Sequence, residues 1–377
     1  MKYVRMPIEI ESPEQMGYEN VKYNLTESSF TDAQLADLDL DLRKLVLCYG
    51  DHQGNRALRE LVAADSGVHP DEVLITAGAA SALFVIATTL LRAGDRILVE
   101  RPNYATNIET PRAIGAEIDF LTLRFEEGFR PSLAQIEAQL HPSTKLVSLT
   151  VPHNPTGSML SESELRQIID LCTRKGVTLL VDETYREMSF AGPLPVAASL
   201  VSASSSATPV LSVSSLSKTW GLPGIRIGWL ICRNPKLMES LLAAKEQIFI
   251  CNSVVDEEIA LRFLQQRAKR APAIFASMKQ NFTALSDWMQ HQHDLEWVKP
   301  EGGVVCFPRF RSDCPVDIER FYRILNDKYK TFVGPGHWFE MERRYLRIGY
   351  GWPSLQDLRE GLSAISLAAK EAQTPSG

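Results

Sequence analysis

Apolar and β-branched residues come in short dense runs along this chain, at Val73–Thr76, Arg96–Glu100, Lys145–Val151, Val177–Asp182, Val210–Ser214 and Ile225–Cys232. Such runs, bounded by turn-forming residues, predict strands. Stretches with helical spacing, Ala79–Arg92 and Ser161–Lys175 among them, lie between several of the runs. The alternation predicts an α/β fold, with a mostly parallel sheet covered by helices on both faces. Ligands of such sheets bind beyond the carboxyl ends of the strands. From about Asp256 to Gln292 the pattern predicts one long helical segment with Pro272 near its middle. After it, Trp297–Phe310, Val316–Lys328 and Tyr345–Tyr350 predict a smaller α+β unit, closed by a helix from about Ser354 to Ala372. The Ser/Ala stretch Ser199–Thr208 predicts a surface loop. The expected division is an N-terminal arm or lid (1–40) joining the small domain, a large domain (41–275) and a small C-terminal domain (276–377).

Composition narrows the classes. A chain of 377 residues exceeds one ordinary domain, which fits the division just drawn. With 45% apolar and 23% charged residues it can build a substantial core and is not disordered. A net charge of −6 gives no support for nucleic acid or an anionic membrane as a partner. No apolar run approaches the roughly 20 residues a membrane helix needs. Met1–Arg5 leads into acidic and polar residues rather than a signal-peptide core. The six cysteines contain no Cys-x-x-Cys pair and the seven histidines no His-Glu-x-x-His pattern, so neither a disulfide framework nor a metal site is expected. A cytoplasmic enzyme acting on a small molecule is the expectation.

The most informative segment is Ser214-Ser215-Leu216-Ser217-Lys218-Thr219-Trp220-Gly221-Leu222-Pro223-Gly224-Ile225-Arg226-Ile227-Gly228. It sets one lysine in a serine-rich turn after an apolar run, with an arginine eight residues on. A lysine that forms a Schiff base must be held and made nucleophilic by its surroundings. An arginine fork nearby suits a phosphate. Val73–Ser81 runs from a strand through Gly78 into a helix start, whose free N–H groups favour an anion. Tyr104 follows Arg101-Pro102-Asn103 just past a strand, where an aromatic offers a flat ring a stacking surface. Asn154 lies in Asn154-Pro155-Thr156-Gly157, directly after the apolar run ending at Val151. Val177–Tyr185 places Asp182 at the end of a buried strand, where an unpaired carboxylate is costly.

In this order the segments resemble the fold-type I pyridoxal-phosphate enzymes of the class I/II aminotransferase family, from about residue 45 to 365. The resemblance implies that Lys218 holds pyridoxal 5′-phosphate as a Schiff base and moves the substrate α-proton. It implies that Asp182 pairs with the pyridinium nitrogen, that Asn154 and Tyr185 hydrogen-bond the 3′-oxygen, and that Tyr104 stacks on the ring. Ala79 and Ala80 would give backbone amides to the phosphate, joined by Ser215 and Arg226. Arg347, in Tyr345-Leu346-Arg347-Ile348-Gly349, would clamp the substrate α-carboxylate, with Asn154 beside it. Leu47-Cys48-Tyr49-Gly50 resembles the segment whose tyrosine reaches the phosphate of a neighbouring subunit, which implies a homodimer with shared active sites.

The N-terminus departs from the family's usual glycine-containing turn and has Tyr23-Asn24-Leu25-Thr26-Glu27-Ser28-Ser29. With Lys299–Val304 and Phe307–Phe310 it is similar to the capreomycidine synthase branch, which dehydrates a hydroxylated arginine and closes a cyclic guanidine. An acidic lid would suit such a guanidinium. Glu9, Glu11, Glu27 and Asp51 are the candidates, and Thr26 and Glu27 are the expected substrate contacts. Three readings follow: an aminotransferase on an L-amino acid, which leads; a lyase or cyclase on an arginine-like substrate, needing no keto-acid acceptor; and a ligand-sensing module of a transcription regulator. The last is disfavoured because regulators of that kind carry a basic winged-helix domain ahead of this fold.

Overall fold

The computed structural model describes residues 1–202 and 208–373. Strand β1 (Tyr23–Leu25) precedes β2 (Val73–Thr76), β3 (Arg96–Arg101), β4 (Glu117–Thr122), β5 (Thr144–Thr150), β6 (Thr178–Asp182), β7 (Val210–Ser215) and β8 (Gly228–Cys232). β2–β8 form one seven-stranded sheet in the order β2-β8-β7-β6-β5-β3-β4. The pairs among β3–β7 are parallel. β8 runs antiparallel between β2 and β7. The α/β expectation therefore holds, with one reversed strand.

Two details differ from the sequence reading. Ile225–Cys232 is not one strand: Pro223–Ile225 forms a 3-10 turn, Arg226 takes a left-handed backbone (φ 50), and the strand starts only at Gly228. The edge strand β4 has an acidic, alternating sequence, Glu117-Ile118-Asp119-Phe120-Leu121-Thr122, and so shows no apolar run. Of the predicted loop at 199–208, residues 203–207 lie outside the described residues, and its beginning belongs to a 3-10 turn at Ala197–Leu200.

Helix ends are set locally. For Glu162–Lys175, the Ser161 hydroxyl accepts the Glu164 N–H, Glu164 reaches back to the Ser161 N–H, and Gly176 closes the helix in the left-handed region. The helix Val254–Gln290 runs 37 residues through Pro272. Its first half buries Ile259, Ala260, Phe263 and Leu264 beneath β2 and β8, and its second half buries Met278, Leu285 and Met289 in a separate core. One helix thus enters both cores.

That second core lies around the remaining strands: β9 (Leu295–Glu296), β10 (Val305–Cys306), β11 (Arg309–Phe310), β12 (Thr331–Pro335) and β13 (Leu346–Gly349). β1 pairs in parallel with β12, which continues antiparallel to β13 and then β10. The N-terminal strand is therefore an edge of the small sheet, and the residues after it, Thr26–Ser28, are led directly to the carboxyl ends of the large sheet. No helix among the described residues is long and apolar enough to cross a membrane.

Candidate active site

A cavity of about 240 Å³ opens at the carboxyl ends of β5, β6 and β7. Its lining contains Ala79, Ala80, Tyr104, Asn154, Asp182, Tyr185, Ser215, Lys218, Arg226, Arg347, Thr26 and Glu27, twelve of the thirteen site residues expected from sequence. The thirteenth, Tyr49, is 80% exposed and does not reach this cavity. Of the four acidic lid candidates, Glu9 and Glu27 line the cavity. Glu11 instead accepts hydrogen bonds from Trp338 Nε1 (2.7 Å) and its carboxylate pairs with His337 (2.8 Å). Asp51 pairs with Arg59 (3.1 Å) and caps its own turn by accepting the Gln53 N–H. Both are corrected from lid residues to structural ion-pair partners in this chain.

One end of the cavity is built for an anion. The helix Gly78–Leu90 points its N-terminus there, where unpaired N–H groups and the helix dipole carry partial positive charge. Arg226 lies against it, with its guanidinium donating to the Pro223 carbonyl (2.9 Å) and the Ser217 hydroxyl (3.4 Å). Gly78 has φ +79, and a Cβ there would sit 2.4 Å from Arg226 Nη2. A Cβ on Gly228 would meet the Gly78 and Ala79 backbone at 2.6–2.7 Å, so β8 packs directly under the helix start. Gly78→Ala should push the Arg226 guanidinium aside and strain the turn. The expected result is a cofactor dissociation constant about tenfold weaker, the cost of one charge-assisted hydrogen bond, with little change in melting temperature; titration of the apoprotein checks it.

The same cavity carries a buried carboxylate. Asp182 is 5% exposed, and its carboxylate accepts from the Thr184 N–H (3.1 Å), the Thr184 hydroxyl (2.6 Å) and Asn107. All three donors are neutral. Burial raises its pKa against those hydrogen bonds. Such a group is completed by a buried cation, and a protonated pyridine nitrogen supplies one.

The reactive groups share this lining. Burial lowers the Lys218 pKa; Arg347 and Arg226 push the same way, and Glu27 pulls against them. Tyr185 is buried and bonded to Ser28, and burial raises its pKa. Arg347 donates from Nη1 to Asn154 Oδ1 (3.2 Å) and from Nη2 to the Thr26 carbonyl (2.7 Å). Its Nε is buried without a hydrogen-bond partner among the described residues, and its guanidinium carbon lies 4.9 Å from the centre of the Phe339 ring. Sequence reasoning missed Glu14, Thr150, Thr184, Ser217 and Trp338, which also line the cavity. Only Thr184 carried a local signal, an Asp-x-Thr turn in which the aspartate accepts from residue i+2. A larger cavity of about 390 Å³ lies behind β6–β8, but its arginines, Arg186 and Arg267, are paired with Glu187 and Asp65 and no lysine lines it.

An anion cradle, a buried carboxylate and a lysine in one cavity fit pyridoxal 5′-phosphate, and the comparisons agree. The chain is 28% identical to capreomycidine synthase of Streptomyces vinaceus over 86% of this chain and 82% of that protein. It is 27% identical to an arginine–pyruvate transaminase of Pseudomonas aeruginosa, again over 86% and 82%. A PLP-dependent aminotransferase from Streptococcus suis superposes with a TM-score of 0.89 at 25% identity, covering all of both chains. The pattern of the family "Aminotransferase class I and II" matches residues 20–365, so the protein belongs to that family, has the fold-type I architecture and takes pyridoxal 5′-phosphate as its cofactor.

Proposed function

We propose that this protein is an aminotransferase that acts on an L-α-amino acid through Lys218. The observation that carries the proposal is the convergence of Lys218, Asp182 and Arg347 on one cavity between the two sheets. When bound, the cofactor supplies an electron sink for charge developing at the substrate α-carbon. Lys218 would hold the cofactor aldehyde and, once displaced by the substrate amine, move the proton at the α-carbon. Its lowered pKa gives a larger neutral fraction for that work. Arg347 would bind the α-carboxylate through its guanidinium fork. Asn154 keeps its amide N–H groups free to donate because its Oδ1 already accepts from Arg347. Tyr104 would stack on the ring, and Tyr185 would donate to the ring oxygen. Ala79, Ala80, Ser215 and Arg226 would hold the phosphate.

Tyr49 would act in the partner subunit's cavity. Its exposure, with that of Val46 and Leu47, supports a homodimer. The six free thiols accord with a cytoplasmic setting. The division into an arm (1–40), a large domain (41–275) and a small domain (276–377) then has one boundary inside a continuous helix.

A second reading is favoured by the carboxylates of the cavity wall. Glu9, Glu14 and Glu27 line it, burial raises the Glu27 pKa, and Lys218 and Arg347 lower it. An arginine-like side chain would find opposite charge there, and one of the relatives named above is by name an arginine–pyruvate transaminase. In this reading the enzyme is a lyase or cyclodehydratase on a hydroxylated arginine. Both readings predict that Glu27→Gln lowers kcat/KM for arginine about tenfold relative to an uncharged amino acid such as norleucine. Equal losses for the two substrates would remove Glu27 from recognition.

Mass spectrometry of products tests the function itself. The loaded enzyme is given L-amino acids, arginine and hydroxyarginines included, with and without 2-oxoglutarate or pyruvate. A keto acid formed only with an acceptor supports transamination. A product one water lighter, formed without acceptor, replaces it with cyclisation.

A further inference from the structure

Ser12-Pro13-Glu14-Gln15 has the sequence of a helix start, a serine with glutamine three residues on. Ser12 does stand at that position, before the short helix Pro13–Met16, with an extended backbone (φ −71, ψ 152). A serine there ordinarily turns its hydroxyl to the second or third N–H of the helix. Here the side chain makes no such bond, and the Gln15 N–H goes to the Ser12 carbonyl (2.9 Å). Ser12 is 4% exposed, and its Oγ is buried without a hydrogen-bond partner among the described residues. It also lines the active-site cavity. A buried hydroxyl with no partner is costly, and one that forgoes a cap within its own turn is left for a ligand.

The arm that brings Ser12 there is tied down by the preceding residue. Glu11, the last residue of the helix Pro7–Glu11, places Oε2 2.7 Å from Trp338 Nε1 and 2.8 Å from His337 Nε2. Arg343 can only donate, and its Nη1 lies 3.1 Å from His337 Nδ1, so Nδ1 accepts. In a neutral imidazole the ring proton is then on Nε2, and two N–H groups converge on one Glu11 oxygen. Their turn, Gly336–Phe339, also puts Trp338 on the cavity wall and the Phe339 ring centre 4.9 Å from the Arg347 guanidinium carbon. Ile8 packs against the core that holds Trp338 and Phe339. Arm and cavity wall therefore share one anchor, next to Ser12 in the chain.

Resting on the reading of the cavity as an amino-acid site, we infer that Ser12 is a specificity-determining residue whose hydroxyl accepts a hydrogen bond from the cationic end of a basic substrate side chain, with Glu11 as the positioning residue that latches the arm. Arg347 and Asn154 are taken up by the α-carboxylate in that reading, which leaves Ser12 for the side chain. Ile8, Leu83 and Trp338 in the same lining suit a run of methylenes. Glu9 is partly spent, since its carboxylate accepts the Met6 N–H (3.1 Å), whereas Glu14 lines the cavity two residues from Ser12. The carboxylates supply charge, and the hydroxyl supplies a neutral acceptor that orients the donor N–H groups.

The test titrates the cofactor-loaded enzyme with L-arginine, L-lysine and L-norleucine, without a keto acid, and follows the cofactor's absorption. The wild type should bind a basic amino acid about tenfold more tightly than norleucine or better, and in Ser12→Ala that preference should fall about tenfold, the worth of one hydrogen bond to a charged group. Norleucine bound by the wild type as tightly as arginine and lysine would overturn the substrate class. The melting temperature of loaded Ser12→Ala should be no lower than that of the wild type, because no bond of the folded chain is lost. A fall of the size that a lost helix cap produces would make the hydroxyl structural and overturn the inference. Glu11→Ala should lower the preference about as much as Ser12→Ala, although residue 12 is unchanged. Glu11→Gln, whose Oε1 can accept both N–H groups, should restore it to within about twofold. A Gln variant as weak as Ala would refute the latch. Should Glu11→Ala fail to fold, the Ser12→Ala preference decides. A wild-type preference that Ser12→Ala leaves unchanged sinks this inference alone. If no amino acid alters the wild-type absorption, the reading of the cavity falls and takes the role of Ser12 with it.

Discussion

A Lys218→Ala variant will fold, bind pyridoxal 5′-phosphate reversibly, and lose turnover by about 10⁴-fold, the upper range for removing a positioned acid–base group. Folding should survive because the backbone contribution of residue 218 is untouched: its carbonyl accepts the Phe30 N–H at 3.0 Å. The cradle proposed for the phosphate should also remain, since neither the helix start at Gly78 nor Arg226, which donates to the Ser217 hydroxyl, involves the lysine side chain. What disappears is the amine at the centre of the cavity. Borohydride treatment of the wild-type holoenzyme should fix the cofactor to the one peptide that contains Lys218, and treatment of the variant should fix it to none. A variant that kept wild-type turnover, or a label found on another lysine such as Lys245, would end the proposal. Lys245 is a fair control because it is fully buried and its pKa, like that of Lys218, is lowered, here to about 8, yet its ammonium is committed to the His52 carbonyl (2.6 Å) outside the cavity.

Much of the large sheet is legible in the sequence because its central strands are covered on both faces. Val147, Leu149, Leu179, Val181, Leu211 and Val213 are all at most 1% exposed, so neither face tolerates polar residues and the runs stand out. The edge strand β4 has no such constraint, and its alternation hides it. The sequence pattern puts Arg226 in a strand because Ile225 and Ile227 flank it. The actual backbone at Arg226 is left-handed, and its guanidinium lies against the helix start at Gly78, a partner almost 150 residues away in the chain. The site shows the same division. Residues in turn motifs after apolar runs, such as Asn154, Asp182 and Lys218, announce themselves by position.

Glu14 and Trp338 reach the cavity only through tertiary packing of the N-terminal arm against the small sheet, and no local pattern encodes that. The acidic candidates make the point from the other side. Glu9, Glu11, Glu27 and Asp51 are equivalent as charges on a string, but Trp338 and His337 capture Glu11 and Arg59 captures Asp51.

Asp182→Asn should move stability in opposite directions in the apo and loaded protein, a signature that simple damage to the fold does not produce. In the empty chain the buried Asp182 has a raised pKa, so the folded state holds its proton more tightly than the unfolded state does. Stability from that group is full below the ordinary carboxyl pKa and is lost as pH rises through the raised value. Asparagine keeps the shape, and its Oδ1 can still accept from the Thr184 N–H and hydroxyl, which now meet Asp182 Oδ1 at 3.1 and 2.6 Å. The apo variant should therefore melt no lower than apo wild type at pH 7–8, and its stability should depend less on pH. The loaded enzyme should suffer instead. Without the carboxylate the pyridine nitrogen loses its buried counter-ion, which costs about 4 kcal/mol when one partner of such a pair is removed. In rate terms that is about 10³-fold in kcat. The cofactor should also be released more readily, and its absorption should report an unprotonated ring nitrogen. Melting curves with and without cofactor across pH 5–9, together with single-turnover rates, check all three. An Asn variant with native turnover would mean that this carboxylate, for all its burial, does not charge the ring.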